Sequence, residues 1–235
     1  MYKTKPRFPC VMPSDARLNV LALNASLKHE PALSNTGELA SLVLDEIRSL
    51  APIDAELVRL ADAVLPVGLG FREAPDDDWP GLVTKIKAAD IVLFCTAIWW
   101  GGRSSLMQRV IERMDALDEQ YSATGRSAIK GKVAGIIITG SEDGALSVMG
   151  SIMMVMSWLG FTLPPECAAY WVGEVGQPTS QDRDKRLRNM ATMHMAKGLA
   201  QNLVYYARLL KAHPQTPVAA KATCCAAHAS LDSPV

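Results

Sequence analysis

Two rhythms of apolar and polar residues alternate along this chain. Short, nearly unbroken apolar runs of strand length are separated by longer stretches in which apolar residues recur every three or four positions, the spacing of one helical face. Leu18 to Leu23 is the first run and reads as a strand. Thr36 to Leu50 follows as a helix, with Leu39, Leu42, Val43, Ile47 and Leu50 on one side. Ala55 to Leu60 reads as the second strand. Asp78-Trp79-Pro80 opens a short helix through Ala89, because a proline in the first turn loses no hydrogen bond that the helix would have made. Ile91 to Cys95 is a third strand, and Ser105 with Gln108 has the spacing of a capping box opening a helix to about Leu117. Lys132 to Thr139 is a fourth strand. Leu146 to Leu159 is helical, with Met149, Met153 and Met156 on one side as core or subunit contact. Phe161-Thr162-Leu163 begins a short fifth strand, and Asp182 to Lys211 reads as one amphipathic helix, roughly 45 Å long at 1.5 Å per residue.

Strands alternating with helices imply a parallel sheet with right-handed crossovers. The expected fold is α/β, a three-layer sandwich around a five-stranded parallel sheet in the order 2-1-3-4-5. Residues 18–213 form this domain. Residues 1–17 hold three prolines and no periodicity and read as an arm, while 214–235 are rich in Pro, Ala and Ser and read as a disordered tail. The segment Ala61 to Asp78, with Pro66, Gly68, Gly70 and Pro75, is longer than a structural connection needs and is a candidate lid or interface element.

Composition narrows the partners. Lys plus Arg equals Asp plus Glu at 24 each, and no basic stripe stands out, so nothing favours nucleic acid or an anionic membrane. No run has the apolar length of a membrane span. The five cysteines, Cys10, Cys95, Cys167, Cys224 and Cys225, show no CxxC spacing and no secretory signal precedes them, which fits a reducing cytoplasm. Cys95 falls within a strand and reads as core. The vicinal pair Cys224-Cys225 has only His228 nearby, too little for a metal site.

In the order 2-1-3-4-5 the loops after strands one, three and four flank the switch point, where open α/β sheets bind ligands. The first loop, Asn24 to Thr36, combines a helix start with donors from Ser26, Ser34, Asn35 and Thr36, and Lys28 adds charge, so a terminal phosphate is well served there. The structural alternative is that Ser34 or Asn35 caps the helix with Glu38 reaching back. Neither GxxxxGK[ST] nor GxGxxG is present, which points away from ATP and from a Rossmann NAD site. The second loop, Thr96-Ala97-Ile98-Trp99-Trp100-Gly101, offers a flat apolar wall. Adjacent side chains of an extended segment point opposite ways, so at most one Trp is core. The third, Thr139-Gly140-Ser141-Glu142-Asp143-Gly144, can close over the far side of the same ring. A phosphate loop beside a stacking loop suits a mononucleotide.

These residues, from Asn24-Ala25-Ser26 with Ser34-Asn35-Thr36, through Thr96-Ala97-Ile98-Trp99-Trp100-Gly101, to the Ile-rich strand ending Thr139-Gly140, resemble the NADPH-dependent FMN reductase family of flavodoxin-like proteins over about Leu18 to Leu163. The family usually has Gly-Ser where this chain has Ala25-Ser26, and Thr-Pro-x-Tyr where it has Thr96-Ala97-Ile98-Trp99. The resemblance implies a flavodoxin-like sandwich that binds FMN, with phosphate at the first loop and the isoalloxazine beside the second. It also implies hydride transfer from NADPH or NADH to FMN N5 and on to a small acceptor such as a quinone or free flavin. No catalytic side chain is required for that first step. The alternative is a flavodoxin-like electron carrier without its own nicotinamide turnover. Such carriers tend to be strongly acidic, and this chain is neutral. Arg103 and Arg126 could pair with a 2′-phosphate or lie in solvent. The Met-bearing helix, the Tyr170-Trp171 region and the long last helix suggest a homodimer or homotetramer.

Overall fold

The computed structural model describes residues 16–117, 127–176 and 179–214, with only the backbone of 179–181. Expectations for residues 1–15, for Arg126 and for the tail from 215 onward, including Cys10, Cys224, Cys225 and His228, lie outside the described residues.

Five parallel strands, β1 (Leu18–Ala25), β2 (Ile53–Arg59), β3 (Ile91–Trp99), β5 (Val133–Gly140) and β6 (Ala168–Val172), form a sheet in the spatial order β2-β1-β3-β5-β6. The sixth strand, β4 (Gly102–Arg103), turns back antiparallel on β3 and was not anticipated; without it the order is the expected one. Because side chains alternate across a strand, each strand feeds both faces. Leu21, Leu23, Val92, Phe94, Ile136 and Ile138 join one core with the helices α2 (Trp79–Ala88), α3 (Ser105–Arg113) and α4 (Ala145–Leu159). Leu18, Val20, Ile91, Leu93 and Ile137 join the other, with α1 (Asn35–Leu50) and α6 (Met190–Ala212). Gly135 lets α6 approach: a Cβ there would lie 2.8 Å from Leu93 and 3.1 Å from Leu203.

Three local expectations change. The fifth main strand is Ala168–Val172; Thr162 makes only a bridge to Val133. The Tyr170-Trp171 stretch is therefore sheet edge and not an irregular segment. The long last helix is two, α5 (Thr179–Arg188) and α6, because the Asn189 side chain accepts from Thr192 N and starts a new helix. The cap of α3 is Ser104, accepting from Met107 N at 3.2 Å, while the Gln108 side chain pairs with Arg103 and Glu112 instead of closing a box with Ser105.

The long segment after β2 is anchored from beneath. After a 3-10 turn at Leu60–Asp62, the buried Arg113 of α3 donates to Pro66 O (3.0 Å), Gly70 O (3.1 Å) and Asp77 Oδ2 (2.7 Å), and lies over the Trp79 ring. Burial opposes ionisation of Asp77. The hydrogen bonds from Arg113 and from the backbone N–H groups of Glu73 and Trp79, with the Arg113 charge, outweigh it and hold the carboxyl below its usual range.

Candidate functional site

The carboxyl ends of β1, β3 and β5 deliver three loops to one edge of the sheet, at the point where the chain order reverses between β1 and β3. At the first, buried Asn24 folds the chain back on itself: its Oδ1 accepts from Ser26 N (3.1 Å) and its Nδ2 reaches Ser34 Oγ (3.4 Å). Ser34 is the α1 cap, accepting from Gly37 N at 3.0 Å. Gly37 is required here, since a Cβ would lie 2.8 Å from Asn24 Nδ2. The capping alternative is thus real for Ser34. Glu38 does not reach back to the cap. It pairs with Arg183 and Arg186 of α5, both at 2.5 Å.

The second loop is a tight hairpin. Trp99 pairs with Gly102, leaving Trp100 and Gly101 as a two-residue turn with φ of 50° and 73°. Positive φ at both central positions suits the twist of the flanking strands, and it strains a tryptophan. Neither tryptophan is core, against the expectation that one could be. Trp99 is 49% exposed and lines a cleft; Trp100 is 92% exposed. Trp100 N–H donates to Glu142 Oε1 (2.9 Å) of the third loop. Gly144, with φ of 127°, lies so close to Gly101 that a Cβ would approach the Gly101 Cα to 2.8 Å. The second and third loops are therefore packed backbone to backbone.

The cleft between the loops is about 260 Å³. Of the residues anticipated from sequence, Ser26, Lys28, Asn35, Thr36, Ala97, Ile98, Trp99, Thr139, Gly140 and Ser141 line it. Thr36 Oγ1 and Thr139 Oγ1 share a hydrogen bond of 2.7 Å, joining α1 to β5. Ser34, Thr96, Trp100, Gly101 and Gly144 do not line it. Thr96 is buried and accepts from Ser104 N (3.1 Å), so it shapes the loop from inside. Arg103 does not line the cleft; half-buried, it donates to Gln108 Oε1 (2.6 Å) and Ser151 Oγ (2.7 Å).

Other residues escaped the sequence reading. Glu142, Glu174 and Asp182 also line the cleft. Asp182 accepts from Trp171 Nε1 (2.7 Å), Asn35 Nδ2 (2.9 Å) and Arg186 (2.7 Å). Burial works against the charge of Arg186 and lowers its pKa, while Asp182 and Glu38 sustain it. On the outer side, Arg59 at the end of β2 donates to Lys28 O (3.3 Å) and Ala32 O (2.8 Å) and pairs with Glu30 (2.7 Å), holding the first loop in shape. The Asp182–Arg186 pair has the i, i+4 spacing of a helix, but sequence spacing carries no signal for the contacts of Asp182 with Asn35, 147 positions away, or of Glu38 with Arg186, 148 away. A larger open groove of about 840 Å³ runs along α1 and is lined by Ser34 and Gly37 among others, but it has no lining residue in common with the cleft and lacks the second and third loops.

The site is built to receive a partly polar ligand. Asn35 spends its amide N–H on Asp182, and its Oδ1 is buried with no hydrogen-bond partner, an acceptor suited to a ligand hydroxyl. The start of α1 supplies free backbone N–H groups, with Ser26 and Thr36 hydroxyls beside them. The Trp99 side chain supplies the apolar wall. Phosphate, polyol and ring each find matching groups, so FMN fits.

Comparison with known proteins places the chain in a family. A family model for NADPH-dependent FMN reductases matches residues 18–174. The chain is 29% identical over 208 residues to 8-demethyl-8-aminoriboflavin-5′-phosphate synthase of Streptomyces davaonensis, covering 85% of this chain and 80% of that protein. It is 32% identical over 83% of its length to a protein of Mycobacterium bovis named divalent metal cation transporter MntH, but spans only 29% of that protein. A crystal structure of RosB with bound 8-demethyl-8-formylriboflavin-5′-phosphate superposes with a TM-score of 0.73 at 28% identity, covering 84% of this chain and 82% of that one. Among the described residues no helix is long and apolar enough to cross a membrane.

Proposed function

The chain belongs to the NADPH-dependent FMN reductase family, and from that premise we propose that it is an FMN-dependent oxidoreductase taking hydride from NADPH or NADH and passing it to a small acceptor such as a quinone or a flavin. The observation that carries this reading is the convergence of the three loops on one cleft, with a helix N-terminus and hydroxyls at one end and an aromatic wall at the other. Bound FMN supplies a ring that accepts and releases two electrons with hydride at N5. The protein holds and orients it. Ser26, Lys28, Thr36 and the first turn of α1 would take the phosphate, and Asn35 Oδ1 would accept from the ribityl chain. Ala97, Ile98 and Trp99, with Thr139 to Ser141 opposite, would border the ring.

A second reading draws support from the likeness to the synthase: the flavin phosphate is itself the substrate and leaves chemically altered. The carrier reading is weakened by the neutral composition, since strong charge is what docks a carrier to its partners.

The cofactor claim has a direct test. Protein purified with its flavin and then denatured should release unmodified FMN by chromatography and mass; release of FAD, or failure of the apoprotein to bind added FMN, overturns it. A changed flavin mass after incubation with the candidate co-substrates selects the second reading. Thr36→Ala should weaken FMN by about 1.5–3 kcal/mol, the worth of a hydrogen bond to a charged group, and riboflavin much less. Equal weakening of both would show that Thr36 acts only through its bond to Thr139.

A further inference from the structure

The residues that match the family model end at 174, and α5 begins beyond them, at Thr179. It nevertheless delivers a carboxylate to the cleft. Asp182, buried and among the lining residues, is met by donors from three elements: Trp171 Nε1 of β6 on Oδ1, and Asn35 Nδ2 of α1 together with Arg186 of α5 on Oδ2. The backbone makes room for it. A Cβ on Gly173 would overlap Asp182 Oδ1 and lie 3.2 Å from Trp171 Nε1, and Gly173 has no left-handed φ that would otherwise account for a glycine. Arg186 is fixed in turn by Glu38 in the first turn of α1, so carboxylate, guanidinium and helix start form one closed set.

This set decides which way the Asn35 carboxamide points. An ionised carboxylate only accepts hydrogen bonds, so Nδ2 is the atom that faces Asp182 and Oδ1 is the atom left to the cleft that Asn35 lines. That oxygen is buried and has no partner within the protein. A sheltered acceptor of this kind carries a desolvation cost that only a donor relieves. It also disfavours the oxygens of a phosphate or a carbonyl, which bring no proton. Without Asp182 the carboxamide is free to turn over and serve either kind of group. We propose that Asp182 is a positioning residue: by holding Asn35 with Oδ1 toward the cleft, it reserves that place for a hydroxyl of the flavin polyol chain and leaves the phosphate to Ser26, Lys28 and Thr36. The identity of the hydroxyl rests on the function proposed above; the orientation of Asn35 does not.

The test compares riboflavin with lumiflavin, which has the same ring system but a methyl group in place of the polyol chain, in fluorescence titrations of the full chain freed of flavin. Asp182→Ala releases Asn35 and should weaken riboflavin about tenfold, the consequence of one lost hydrogen bond and a buried group left unpaired, while lumiflavin changes by less than about twofold. Arg186 keeps Glu38 as its partner in that variant. Gly173→Ala is the second variant: it retains every charge, pushes the carboxylate off its seat and should repeat the pattern. Adding Asn35→Asp to Asp182→Ala should bring riboflavin back to within about threefold of the wild type, because a carboxylate at that position is an acceptor on every side and Arg186, which shares Asp182 Oδ2 with Asn35, is near enough to pair with it. Equal weakening of both flavins, or no recovery in the double variant, shows that Asp182 only ties α5 to α1 and overturns the proposal. A wild type that binds neither flavin rejects the functional reading and the hydroxyl with it, and the side-chain amide protons of Asn35, followed by nitrogen–proton correlation spectra of the free protein, then decide the orientation. Slow exchange in the wild type and fast exchange in Asp182→Ala uphold the positioning role; equal exchange overturns it.

Discussion

Arg113→Met should destabilise the protein by about 3–5 kcal/mol, the usual consequence of leaving one member of a buried ion pair without its partner. Arg113 and Asp77 are almost wholly inaccessible, with side-chain exposures of 1% and 0%, and their N–O distance is 2.7 Å. The same guanidinium holds the carbonyls of Pro66 and Gly70, so its loss releases the segment between β2 and α2 as well as the charge. The pH dependence follows from Asp77. Its folded pKa is depressed, so its contribution is present above the unfolded value near 4 and is lost as pH falls through the lower folded value. In the variant the carboxyl is buried without a cation and its pKa rises. The deficit should therefore be largest near neutrality and shrink toward pH 4. Urea melts of both proteins at pH 7 and at acidic pH measure this. A loss under 1 kcal/mol, or a deficit that grows in acid, would show that the pair does not anchor the loop.

Gly144→Ala should have the second large effect, and it falls on the site. The new Cβ needs a backbone with φ of 127° and meets the Gly101 Cα at 2.8 Å, and both partners are main chain with no side chain to give way. Backbone strain of about 1–3 kcal/mol is expected. The second and third loops should move apart, breaking the Trp100–Glu142 bond and lowering FMN affinity at least tenfold. Gly101→Ala is the control. Its φ is 73°, but its Cβ enters open space, so the cost is the left-handed backbone alone, about 1–2 kcal/mol. Thermal melts with fluorescence titration of FMN separate the two, and equal effects would mean that the contact between the loops is unimportant.

The parts of this fold that were legible in the sequence are those specified locally. Apolar runs and helical spacing located the first four strands to within a few residues, the fifth lying several residues beyond its expected start, and strand order followed from the rules of parallel connections. Ten of the anticipated site residues line one cleft because they lie at strand ends, where topology brings loops together regardless of detail. The misses are of another kind. Trp99-Trp100 was judged as an extended pair, whereas Trp100 sits in a turn that only the short return strand β4 reveals. The helix break at Asn189 was hidden by apolar spacing that carries on past it, although asparagine is among the preferred cap residues. Glu142 reads from sequence as a solvated or interface-facing charge, Asp182 only as the start of a helix, and Glu174 carries no signal. What gives Glu142 and Asp182 their places is a partner far along the chain, Trp100 for the first and Asn35 for the second, and no spacing rule encodes that.

The central claim is that the cleft performs flavin reduction by a nicotinamide nucleotide. Mixing FMN-loaded protein with NADPH, and separately with NADH, under anaerobic conditions in a stopped-flow instrument tests it most directly. Rapid bleaching of the oxidised flavin band with at least one nucleotide, without any partner reductase, is the result predicted here. A flavin that stays oxidised with both nucleotides but is reduced by an external reductase would contradict it and make the protein an electron carrier.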